Sequence, residues 1–346
     1  MAKQLDDRDT VGTAPAEARR TPFDTLTEAF GGLLLGHCVV SVARCRVADA
    51  LGDTPLTPGE LAEASGANPD AVGRMLRLLA AHGVFEMRDG RFAHTGASEL
   101  LRTDHPYSFR DFVAGFGAPS VAEVLGLFDH SLQTGMPATF ELDPGGIFGI
   151  LQRDPEFAQH FDAGMTAKAR TQIASILAAY DFTSCGAVGD IGGGRGHLLR
   201  AVLDAAPGTT GVLFDLPRVI EGAAGTASER LALQAGDFFA DPLPACNTYL
   251  LMDVIHDWDD EPAAAILSSV REAAPERARL LLIESMIPNV PGPDWRKTLD
   301  VLMLVATGGR QRTLTEHESL LGSSGFRLNR VVGTASDVSI LEATSA

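Results

Sequence analysis

Lysine is nearly missing: only Lys3, Lys168 and Lys297 occur in 346 residues, and every other cationic side chain is arginine. That bias carries no mechanism, but the shortage of positive charge does. With 28 basic against 45 acidic residues the formal charge is −17, so the surface repels phosphate backbones and anionic headgroups at long range. Neither nucleic acid nor membrane is an expected partner. Cysteine is scarce as well. Cys38, Cys45, Cys185 and Cys246 stand far apart, with no C-x-x-C pair and no Cys/His cluster of zinc spacing. Disulfides and metal are therefore not expected. No run reaches the roughly 18 apolar residues of a membrane span, and the opening MAKQLDDRDTVGTAPAEARR is too charged for a signal peptide. The chain reads as soluble and cytoplasmic.

What is present suffices for a core: 45% of residues are hydrophobic, and the length implies two or three domains. Residues 1–20 are polar and aperiodic, a disordered tail. From Phe23 to Leu51 an apolar segment begins that suits a helix enclosed by other helices, including those of a second subunit. TPGELAEASG and NPDAVGRMLRLLAAHG carry helix start and stop signals, and VFEMRDGRFAHT reads as a hairpin turning at Asp89-Gly90. Two short helices and a hairpin make a winged helix, a fold often used to read DNA. A DNA-binding regulator is nevertheless disfavoured, since residues 56–92 hold four arginines against five acids. The expected division is a winged-helix domain over 21–105, a helical connector over 106–180, and an α/β domain over 181–346. On the connector's last helix Phe161 and Met165 are four apart and share a face. Packing accounts for that pair as well as ligand contact does, and the same holds for Phe109, Phe112, Phe116 and Phe128.

From Gly186 onward short apolar runs, GAVGDIG, TTGVLFDL, RLALQAGDFF, TYLLMDVIH and ARLLLIESMIP, alternate with helical stretches. That rhythm builds a parallel sheet, with ligands at the carboxyl ends of its strands. The first strand runs through Asp190 into IGGGRG. A dinucleotide fingerprint starting at Gly192 needs glycine at 197, where His197 stands, and no phosphate-binding G-x-x-x-x-G-K-[ST] loop occurs. What remains is D-x-G-x-G-x-G, and here the chain resembles the S-adenosyl-L-methionine-dependent methyltransferases, whose domain is Rossmann-like. Asp215 closes the second strand, 25 residues after Asp190, where a carboxylate can accept from both ribose hydroxyls. Asp237 with Phe238 closes the third, an acceptor for the adenine amine beside an apolar face. The fourth ends in MDVIHDWDDE, which puts His256 and Trp258 on the rim. Glu284 ends the fifth, within reach of an imidazole N–H.

The strings DIGGGRG, FDLP, GDFF, HDWDDE, LLIESMIP and GGRQRT, in that order, narrow the resemblance to the small-molecule O-methyltransferases of plant and bacterial secondary metabolism, of the caffeic acid type, over residues 24–343. The resemblance implies a methyl transfer to a hydroxyl, phenolic in character, and a homodimer in which the N-terminal domain closes the partner's pocket. It implies Asp190, Gly192, Gly194, Asp215, Asp237, Phe238 and Trp258 at the cofactor, His256 as general base, and Glu284 as the first of two acids bracketing that base. Gln311 occupies the place of the second. Phe161, Met165 and Met303 resemble residues that clamp an aromatic acceptor, and Met252 stands where many relatives carry lysine. Some relatives use the same site for hydroxylation, decarboxylation or cyclisation; they usually lack the histidine that is retained here. An N- or C-centred acceptor stays open.

Overall fold

The computed structural model describes residues 21–346; the expected disordered tail, 1–20, lies outside the described residues. Asp89 and Gly90 both have positive φ, 50° and 73°, as a two-residue type I′ connection requires. They join β1 (Phe85–Arg88) to β2 (Arg91–His94), antiparallel, with Phe85 opposite His94. The helices ahead of this hairpin, Pro58–Ser65 and Pro69–Ala81, start on Thr57 and Asn68, whose side chains accept the N–H groups of Glu60 and Ala71. Glu60 returns a bond to the N–H of Thr57, completing a capping box. Leu61, Leu76, Leu79, Phe85 and Phe92 pack together between helices and hairpin. The winged-helix arrangement is therefore present.

The apolar segment before it differs from expectation. Arg46 adopts a left-handed conformation, φ 54°, and splits the segment into helices Pro22–Arg44 and Val47–Leu51. Only Val42 and Ala43 of the first helix are buried, while Phe23, Leu26, Phe30, Leu33 and Leu34 are exposed. It is not enclosed within this chain. It is also the one helix among the described residues long and apolar enough to cross a bilayer, with mean hydropathy 1.5 over 18 residues, which corrects the expectation that no run would suffice. Isolated polar residues interrupt the run, yet its average stays high.

Six short helices follow the hairpin, Gly96–Glu99, Arg110–Gly115, Pro119–Leu125, Phe128–Thr134, Thr139–Leu142 and Gly146–Arg153, and then the long helix Pro155–Ala179. Asp154 caps the long helix by accepting from the N–H of Phe157, and the Ser120 hydroxyl donates to the same carboxylate at 2.7 Å. At Gly164 a Cβ would lie 2.8 Å from the Cα of Phe112. This glycine thus lets Arg110–Gly115 cross directly on the long helix.

Strands β3 (Ala187–Ile191), β4 (Thr210–Asp215), β5 (Leu231–Ala235), β6 (Thr248–Met252) and β7 (Arg279–Glu284) run parallel, as the sequence rhythm implies. Two further strands, β8 (Phe326–Gly333) and β9 (Ser339–Ser345), add an antiparallel edge, so the sheet is mixed, in the order β5-β4-β3-β6-β7-β9-β8. Alternate residues serve two cores: Tyr249, Leu251 and Leu282 on one face, Leu250, Leu281 and Ile283 on the other. The order reverses between β3 and β6. Their carboxyl ends therefore flank the crevice where such sheets hold ligands.

Candidate active site

Beyond Asp190 the chain turns through Gly192, Gly194 and Gly196, with φ of 70°, 59° and 69°, into the helix His197–Ala205. Only glycine enters that region freely. A Cβ on Gly193 would lie 2.5 Å from Cγ of Asp190, so the loop folds directly over this carboxyl. Asp190 is 1% exposed with one oxygen unpartnered, and burial, then the charge of Asp215, pushes its pKa up to about 7. It lies beneath the loop. Asp215 stands at the end of β4, where its two oxygens accept from the N–H groups of Gly194 and Leu216 at 2.8 and 2.7 Å. Those bonds aim the carboxylate at the loop. Burial holds its pKa above the usual carboxylate value.

Asp237, after β5, accepts from the N–H of Phe239 at 2.9 Å. Phe238, Phe239 and Trp258 meet edge to face, with Phe239 and Trp258 centroids 4.8 Å apart. The Phe238 ring comes 3.7 Å from where a Cβ of Gly192 would stand. Glycine cradle, two carboxylates and aromatic wall thus share one edge of the sheet. They fit an adenosyl group bearing hydroxyl and amine donors, and the surrounding acids favour a cationic sulfonium.

Past β6, a short turn Ile255–Asp257 carries His256, 8% exposed. Gln311 Nε2 lies 2.8 Å from its Nδ1, Glu284 Oε2 3.5 Å, and Asp253 Oδ1 4.0 Å. Glu284 is 1% exposed. Its Oε1 accepts from the N–H groups of Ile255 and Val254, and burial pushes its pKa up to about 7 against the opposing pull of His256. Two residues without an assigned role hold the turn. Arg312, fully buried, donates to the carbonyls of Ile255 and Trp258 and to Asp260. Gly309 lets its loop pass so close that any Cβ would collide with the carbonyl oxygen of His256. Both lie in or beside the GGRQRT string, which was the available signal.

The imidazole lines a cavity of about 690 Å³ whose walls include Phe109, Phe112, Phe161, Met165, Trp295 and Met303. Phe161, Met165, Met303 and His256 therefore meet in one space. Phe116 joins them, whereas Phe128 lies in a neighbouring surface groove. Lys168, on the long helix, reaches this cavity and pairs with Asp253 at 2.8 Å. Burial opposes its charge, yet Asp253, Asp337 and Glu284 together hold its pKa above the ordinary lysine value. Asp253, His256 and Glu284 bring one donor atom each within 4.8 Å of one another, a constellation whose counter-cation is this ammonium. The pair spans 85 residues, and no local motif announces it.

Family comparison agrees with this architecture. An O-methyltransferase domain model matches residues 129–327 and an O-methyltransferase dimerisation domain model residues 27–104. The chain is 38% identical over 312 residues to the O-demethylpuromycin-O-methyltransferase of Streptomyces alboniger, covering 87% of this chain and 82% of that protein. It is 35% identical over 320 residues to the 8-amino-8-demethylriboflavin N,N-dimethyltransferase of Streptomyces davaonensis, covering 89% and 91%. The SAH-bound structure of a methyltransferase in calicheamicin biosynthesis superposes with a TM-score of 0.84 at 33% identity, covering 93% of this chain and 97% of that one. The chain belongs to the O-methyltransferase family, and it is an enzyme whose cofactor is S-adenosyl-L-methionine.

Proposed function

We propose that this enzyme methylates a phenolic hydroxyl of a secondary metabolite, with His256 as general base. The observation that carries the reading is the buried imidazole, gripped on its Nδ1 side and lining an apolar, aromatic-walled cavity beside the glycine cradle. As the amide of Gln311 stands, its nitrogen faces Nδ1 while its oxygen is buried without a partner. A half turn of the amide lets Oε1 accept Nδ1–H, which leaves the imidazole's own Nε2 as the free base, 3.7 Å from Asp257 Oδ1. Glu284 supports the same tautomer. Asp190 props the glycine loop, Gly192 and Gly194 cradle the cofactor's methionine end, and Asp215 takes the ribose. Asp237, Phe238 and Trp258 take the adenine, while Phe161, Met165 and Met303 hold the acceptor ring.

When bound, the cofactor supplies an electrophilic methyl group on a positively charged sulfur. The chain's own task is alignment and proton removal. A free phenol near pKa 10 giving its proton to a free imidazole near 6.5 climbs roughly 3.5 units, about 4.8 kcal/mol, so proton loss is coupled to transfer or eased by an acidic phenol. The assembly implied is a cytoplasmic homodimer in which a second copy covers the helix Pro22–Arg44 and closes the pocket. A nitrogen acceptor is the second reading, favoured by the N,N-dimethyltransferase relative.

The test is methyl-labelled cofactor with a panel of phenolic and arylamine acceptors, read by mass spectrometry. His256→Ala is expected to lower phenol methylation by about 10²–10⁴-fold with cofactor affinity retained in calorimetry. A variant as fast as the parent on phenols would remove His256 from the mechanism.

A further inference from the structure

One wall of the cavity carries a polar patch that methyl transfer alone does not use. Gln172, one turn beyond Lys168 on the long helix, is 1% exposed and lines the cavity. Its Nε2 donates to Asp337 Oδ1 at 3.1 Å. A carboxylate oxygen can only accept, so the amide orientation is fixed and its carbonyl Oε1 is the group left buried without a partner. Asp253 repeats the pattern. Its Oδ2 receives the ammonium of Lys168 at 2.8 Å, while its Oδ1 is buried and unpartnered on the side facing His256. Buried acceptors of this kind are normally answered by a donor, and an ammonium has three N–H donors, of which Asp253 takes one.

The patch also lies on the acceptor's side of the base. Asp337 belongs to the β8–β9 turn, and β9 is separated from β3 and its glycine loop by β7 and β6. The acids Asp253, Asp257 and Asp337 outnumber Lys168 along the cavity wall, so a carboxylate substituent is disfavoured. A neutral or cationic donor suits the patch.

We propose that Gln172, Lys168 and Asp253 form a specificity subsite for a second polar substituent of the acceptor, a hydroxyl or amino group carried on the reacting ring or one fused to it. The substituent donates to Gln172 Oε1 and accepts from Lys168, which sets the ring's rotation and hence which hydroxyl meets His256. The inference rests on the reading of this cavity as the acceptor site.

The probes are 2-naphthol and 2,3-dihydroxynaphthalene, titrated by fluorescence against the full chain saturated with S-adenosylhomocysteine and, separately, assayed for methylation. The diol is expected to bind at least tenfold more tightly than the monol. That ratio should fall below about threefold in both Gln172→Met and Lys168→Met, with S-adenosylhomocysteine affinity held in calorimetry as the check on folding. Equal binding of the two probes by the parent, or a ratio that survives both substitutions, overturns the subsite. So does a loss that falls on S-adenosylhomocysteine instead, which would assign the patch to the cofactor. A preserved preference with neither probe methylated would count against the phenolic reading of the acceptor and leave the subsite standing.

Discussion

What stands behind an imidazole decides how strong a base it is. Behind His256 stand a neutral amide and a carboxyl group pushed up to about 7, Gln311 and Glu284. Neither presents a full, fixed negative charge at neutral pH, and the Asp253 carboxylate, 4.0 Å from Nδ1, is shared with the Lys168 ammonium, so in the proposed reaction an imidazolium is held by hydrogen bonding more than by a charge of its own. Gln311→Glu supplies that charge, at a side chain already 2.8 Å from Nδ1. It is expected to raise kcat on weakly acidic phenols by about tenfold and to leave acidic phenols nearly unaffected, since these need little help in losing the proton. A kcat series across phenols of graded pKa checks it; a uniform or negative effect across the series would contradict this account of the base. His256 and Gln311 could be found from their strings, HDWDDE and GGRQRT. Their contact was implied only by the resemblance, which puts Gln311 in the place of the second bracketing acid; no local spacing announces it, because it joins positions 55 residues apart. Gln172, Lys168 and Asp253 were silent in the sequence for the same reason.

At the scale of elements, the turn that carries His256 is shaped from outside. Gly309 and Arg312 fix the backbone of residues 255–258, so Gly309→Ala should displace the base without touching any ligand. We expect about 1–3 kcal/mol of destabilisation and a fall in kcat of about 10²-fold from misplacement, read by thermal unfolding and steady-state kinetics. Wild-type kinetics in that variant would mean the turn is not held from this side. The glycine loop offers a pH test. Asp190 is pushed up to about 7, chiefly by burial, so the folded state keeps its proton where the unfolded chain, near pH 4, has released it. That contribution is fully present below pH 4 and is lost as pH rises through 7. Asp190→Asn, neutral throughout, should therefore lose less melting temperature between pH 5 and 8 than the parent; parallel curves would place the carboxyl's titration elsewhere. The five parallel strands were readable because buried strands are continuous apolar runs. β8 was not, since it buries only Phe326 and sets Arg327, Asn329 and Arg330 along an exposed edge.

At the scale of the whole molecule, the N-terminal helix makes sense only with something laid against it. Phe23, Leu26, Phe30, Leu33 and Leu34 are exposed, far more apolar side chain than a single helix usually leaves to water. The groove between this helix and the body is lined by Leu33, Phe128 and Val301, and it shares Phe116, Leu125, Trp295 and Leu302 with the acceptor cavity. Whatever covers the helix therefore also borders the site, and a match to a dimerisation domain over residues 27–104 argues that it is a second copy of the chain. Phe30 and Leu34 are four apart and share a helical face. The double variant Phe30→Glu, Leu34→Glu is accordingly expected to elute as a monomer in size-exclusion chromatography with light scattering. Its KM for the acceptor should rise several-fold, because the cavity loses its outer wall, while calorimetric affinity for S-adenosylhomocysteine stays within twofold, because the glycine cradle sits on the other domain. A variant that remains dimeric would assign the exposed face to a different contact. A monomer with unaltered acceptor KM would separate assembly from catalysis and leave each subunit's cavity complete by itself.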